Sequence, residues 1–93
     1  MTQQYLIGQL STLLEELQPP PGEMLAGDVR GLRQEVEHSG VQMLPVLARE
    51  AIVLGDVICW VALERGDSDG FRRYASAVVA LGDFTENACL RPE

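Results

Sequence analysis

Glu35 and His38 stand three residues apart in Glu35-Val36-Glu37-His38. On a helix that spacing sets a carboxylate and an imidazole one turn apart, as in metal sites inside helical bundles. Such a site needs ligands turned inward from several helices. Glu35 and His38 lie away from the apolar stripe of Leu25, Val29, Leu32 and Val36, and Glu15 and Glu16 turn away from their neighbouring leucines. His38 is also the sole histidine. The pattern therefore predicts a solvated helix end and no metal. With that histidine at a helix end, neither a Ser–His nor a Cys–His dyad is expected. Asp56 and Asp83 are the best candidates for paired carboxylates, but Asp83 falls on a wet face and Asp56 at the border of an outer one. No glycine-rich phosphate loop is present. All seven basic residues are arginine, so no lysine can form a Schiff base or grip a phosphate. No enzyme and no cofactor are expected.

Asp67-Ser68-Asp69-Gly70 has the opening of a calcium loop. Counted from Asp67, the position that needs a bidentate glutamate is Val78. Asp67 or Ser68 reads instead as a helix N-cap, with Asp69 near the positive end of the helix dipole. Asp67-Ser68 also resembles the Asp-Ser pair of acyl carrier proteins, which are acidic four-helix domains of similar length. The likeness covers two residues. A carrier has several helices after its modified serine; only one segment follows here, and no leucine follows Ser68. Cys59 and Cys89 are the only cysteines. Placed on the last two helices they lie ~20 Å apart, beyond the reach of a disulfide. Two free thiols packed as small apolar groups are expected.

Fourteen acids against seven arginines leave a formal charge of −7. Phosphate backbones are bound mainly by Lys and Arg, and aromatic residues are only 5% of the chain, too few for base stacking. No nucleic-acid partner is expected. Arginine in place of lysine suggests a high-G+C, bacterial genome. The N-terminal residues carry no basic stretch followed by a long apolar core, so no signal peptide is read there. The most apolar run, Ala51 to Leu63, is thirteen residues long and interrupted by Asp56. A membrane-spanning helix needs about 20 residues. A cytoplasmic location without membrane contact is the expectation.

The elements that must position these residues are four helices, over about 2–18, 23–39, 43–65 and 69–90 of one domain spanning 1–93. In the first, Leu6, Ile7, Leu10, Leu13, Leu14 and Leu17 repeat at helical spacing, with Gln4, Gln9, Ser11, Thr12, Glu15 and Glu16 opposite. Pro19-Pro20-Pro21-Gly22 ends it and forms a linker over 19–22. The second carries the narrow Leu25/Val29/Leu32/Val36 stripe. Gly27 and Gly31 make it the weakest, at ~1 kcal/mol each relative to alanine. The fourth turns Phe71, Tyr74, Ala75, Val78, Leu81, Gly82, Ala88 and Cys89 inward. Short loops favour antiparallel neighbours. The expected fold is all-α, an up-down antiparallel four-helix bundle. Leu54-Gly55-Asp56 recurs as Leu81-Gly82-Asp83, which predicts a close helix crossing at Gly55 and Gly82.

The third helix is the anomaly. Leu47, Ala48, Ala51, Leu54, Gly55, Ile58, Cys59 and Ala62 make one broad apolar face. Val46, Val53, Val57 and Trp60 form a second stripe on the other side, among Arg49, Glu50, Asp56 and Glu64. Either neighbouring helices cover both faces, or the second stripe is open and binds a protein. Small domains bury surface incompletely, and large exposed apolar patches mark interaction sites. The expected function is therefore protein–protein contact, as a homodimer or an adaptor or regulatory subunit. Trp60 would be the anchor, Val46, Val53 and Val57 the apolar flank, and Arg49 and Asp56 the rim. The alternative is an apolar small molecule held between the helices, in space left by Gly27, Gly31, Gly55 and Gly82.

Overall fold

A computed structural model describes residues 2–89, with side chains described over 4–87. The chain forms α1 (Thr2–Glu15), α2 (Glu23–His38), α3 (Leu44–Glu64) and α4 (Ser68–Phe84). A 3₁₀ turn, Val41–Met43, leads into α3, and a π-turn, Thr85–Cys89, follows α4. The expected inward packing of Ala88 and Cys89, and the separation of the two cysteines, lie outside the described side chains.

Each helix packs against its neighbours in sequence, and α4 returns to α1, so the four close into a bundle. Cross-helix contacts run antiparallel throughout. Arg33 on α2 meets Glu15 while Glu37 meets Ser11; Gly55 on α3 meets Val78 on α4. The core draws on all four helices: Leu10 and Leu14 from α1, Val29, Leu32 and Val36 from α2, Leu47 and Ile58 from α3, and Tyr74 and Leu81 from α4. Leu17, just past α1, and Pro20 in the linker are buried as well.

The ends of the helices have local causes. Helix α1 stops at Glu15, before the expected end at 18, and its last turn tightens. The amides of Leu17 and Gln18 donate to Leu14 and Glu15, at 3.1 and 3.0 Å. Residues ahead of a proline are pushed out of the helical region, and Pro19 follows. The linker is then tied to α4, where Arg73 donates to the Gln18 carbonyl at 2.7 Å and the buried Tyr74 hydroxyl donates to Pro19. Gly40 and Gly66 follow α2 and α3 with φ of 86° and 73°, positive values that cost glycine little; Gly40, with ψ of 166°, turns the chain out of α2 in an extended conformation. Pro45 sits in the first turn of α3, where its missing N–H is harmless. Asp67 caps α4 by accepting from the Gly70 amide at 2.9 Å.

Two expectations are corrected. Ser11 is buried, because Arg33 and Glu37 reach over it from α2. Arg33 Nε donates to Ser11 Oγ at 3.3 Å, and Ser11 Oγ lies 3.4 Å from Glu37 Oε2. Arg33 also pairs with Glu15 at 3.3 Å. The second concerns Gly55 and Gly82. A Cβ built on Gly55 would lie 2.6 Å from Val78 Cγ2, while one on Gly82 would meet nothing within 4 Å. The close approach is real at Gly55, but its counterpart is a valine, four residues before the expected glycine.

Candidate functional site

Every turn of α3 presents two faces. Leu44, Leu47, Ala48, Ala51, Gly55, Ile58, Cys59 and Ala62 are buried, and at ~100° per residue their mean direction is opposite that of Val53. Val46, Val53, Val57 and Trp60 are exposed, with Trp60 at 61% and Val53 at 63%. Arg49 and Asp56 are exposed beside them. All six residues proposed for the interaction face are thus together on one side of one helix. Two large residues extend the strip beyond those six, Met43 before Val46 and Leu63 after Trp60, the latter also 61% exposed. Leu63 follows Trp60 at the i+3 interval, so helical spacing alone could have added it.

The strip is backed on one side by α2. Leu25 and Asp28 join Val46, Arg49, Glu50, Val53, Leu54 and Val57 around an open groove of about 470 Å³. The second helix contributes to this wall through the start of its own apolar stripe, where Leu25 is only half buried. Linear patterning gives no sign that it reaches the outer side of α3. A neighbouring groove of about 380 Å³ is lined by Gly27, Asp28, Gly31, Leu32, Glu35, Glu50 and Leu54. The two α2 glycines open a shallow trench there, bordered by three carboxylates.

The ion pairs found among the described residues both use Arg33, with Glu15 and Glu37. Arg49 and Asp56 therefore carry their charges at the edge of the strip with no ion pair to another described residue. Asp56 does act on its own helix. Burial pushes the Cys59 thiol above its ordinary value of 9.0, and the nearby Asp56 carboxylate raises it further. A thiol held protonated is a packing group and a poor nucleophile.

The remaining chemical candidates have structural settings. His38 Nδ1 lies 2.8 Å from the Gln34 carbonyl, on the exposed end of α2. The Asp67 carboxylate is engaged as the α4 cap, and Ser68 is the exposed first residue of that helix. Asp83 lines an open recess with Gln9, Leu13, Ala80, Phe84 and Asn87, between α1 and α4, whereas Asp56 is on the outer side of α3. The structure does not bring these two carboxylates to one site. Among the described residues no three His, Cys, Asp or Glu side chains cluster as metal ligands, and no helix is long and apolar enough to cross a membrane. Compared with family models, curated proteins and solved structures, the chain matches none of them.

Proposed function

We propose that this chain is a protein–protein interaction module of the cytoplasm, working as a homodimer or as a small adaptor or regulatory subunit, and that the outer side of α3 is its contact face. One observation carries the reading. Trp60, Val53, Val57 and Val46 are all exposed on one side of α3, opposite the face it already buries. Trp is the residue most often found at energetic hot spots of interfaces, and such spots are ringed by polar rim groups, the place taken here by Arg49 and Asp56. Aliphatic neighbours add apolar area around the anchor, part of whose burial free energy is offset by the cost of association.

Sedimentation of the purified chain over a concentration series tests this. The wild type should run above its 10.2 kDa monomer mass, and Trp60→Ala should weaken association by ~2 kcal/mol or more. A monomer in both, at all concentrations, contradicts self-association through this face.

A second reading, binding of an apolar small molecule, draws on the groove of about 470 Å³ beside the strip, a volume within the ~300–1,000 Å³ of ligand sites. That groove is open and bordered by Asp28, Arg49 and Glu50, which suits a macromolecular surface better than an apolar ligand. The trench at Gly27 and Gly31 is more acidic still.

A further inference from the structure

We infer that the occupant of the α3 strip is a second copy of this chain, laid antiparallel about a two-fold axis beside Val53; this rests on the interaction reading above and specifies its partner and register. A two-fold interface needs a surface complementary to itself, with residue i meeting j and j meeting i. Val46, Val53 and Trp60 recur at intervals of seven, which keeps them on nearly one line with a drift of about 20° per repeat. Set antiparallel about Val53, each Val46 is level with Trp60 of the other copy, since both stand seven residues from the centre. Val53 meets Val53. The bulk of each indole is met by a small side chain, once at either end.

The charges fit the same register. Arg49 stands four residues before the centre and Asp56 three after it, on the same side of the strip. In the antiparallel pair, Arg49 of one copy comes within one helical rise, about 1.5 Å, of the level of Asp56 of the other, and the symmetry repeats this contact. Both side chains are exposed and neither makes an ion pair with another described residue. Flanking charges of this kind select orientation and register between paired helices. A parallel pairing would set Trp60 against Trp60 and Glu64 against Glu64 at one end, placing bulk on bulk and like charge on like. On the opposite side Val57 of each copy lies within one residue of the level of Glu50, whose aliphatic stem can cover it. The strip from Val46 to Trp60 is only about 21 Å long, so the dimer belongs to the weaker, concentration-dependent class.

Charge reversal with mixing tests the register. Arg49→Asp places two Asp–Asp contacts in its own homodimer, and Asp56→Arg places two Arg–Arg contacts in its own. Each should raise the dimer Kd at least about tenfold, with helicity unchanged because both positions are exposed. An equimolar mixture of the two variants restores both opposite-charge contacts, so it should form a 1:1 heterodimer of near wild-type affinity. The double variant R49D/D56R should dimerise by itself. Single variants that dimerise like the wild type would overturn the inference, as would a mixture that stays monomeric. Rescue of Arg49→Asp by Glu64→Arg in place of Asp56→Arg would also overturn it, by moving the axis toward the C-terminal half of α3. In those three cases a wild-type dimer dissociated by Trp60→Ala leaves the interaction face standing; a wild type monomeric at every concentration removes self-association and register together.

Discussion

Asp56 acts in two directions from one position. Toward the core it raises the pKa of the Cys59 thiol, adding to the larger effect of burial; toward solvent it borders the apolar strip. A negative charge disfavours the thiolate, so neutralising it should lower the thiol pKa while the burial effect stays. In a Cys89→Ser chain kept dilute, the pH midpoint of Cys59 alkylation should lie above 9.0. Asp56→Asn should bring it down without reaching the ordinary value. A midpoint at or below that value in the parent would contradict the environment described here. This coupling was invisible in the residue order, which offers Cys59 only as an apolar position with no cation beside it. Ser11 was misplaced for a related reason. Helical periodicity places it among polar residues of α1, correctly for its angle on the wheel, but cannot show that Arg33 and Glu37 fold across it from α2.

At the scale of the helices, the glycines separate packing from propensity. Gly55 is held to its size by Val78, whose Cγ2 lies 2.6 Å from where a Cβ would be. Gly55→Ala should therefore destabilise the bundle by ~1–3 kcal/mol, the usual cost of overpacking, and Val78→Ala in the same chain should recover part of it. Gly31 on α2 would place a Cβ in open space, so Gly31→Ala should stabilise by up to ~1 kcal/mol through helix propensity alone. Thermal or denaturant unfolding of the three variants reads both signs; a stabilised Gly55→Ala would refute the close crossing. The repeated Leu-Gly-Asp triplet pointed to a crossing and named Gly55 correctly, but the counterpart was set by the turn between α3 and α4. The leucine spacing of α1 and the two-sided pattern of α3 were legible because each face repeats over several turns. The end of α1 was read three residues late, because periodicity continues through Leu17 while the turn ahead of Pro19 has already tightened to the i+3 bonds of Leu17 and Gln18.

At the scale of the whole molecule, shape decides what α3 can bury. The chain measures 42 × 22 × 17 Å, about two helix diameters across. A bundle this thin gives each helix an inner side and leaves it an outer one. Helices α1, α2 and α4 expose single large apolar residues there, Tyr5, Met24 and Val79, among polar ones, whereas α3 exposes Val46, Val53, Val57, Trp60 and Leu63 on one helix. The choice between a central helix and an open strip could not be made from composition, because it depends on how many layers the chain can stack. Trp60 is 61% exposed, and in the proposed dimer a second copy would cover the strip with the same strip in reverse. The chain holds a single tryptophan, so its emission reports on this face alone. Fluorescence across a dilution series, with iodide as quencher, is the most direct measurement: on concentration the emission should shift to the blue and quenching should fall as the two indoles become covered. Emission and quenching that stay the same at every concentration would contradict the account.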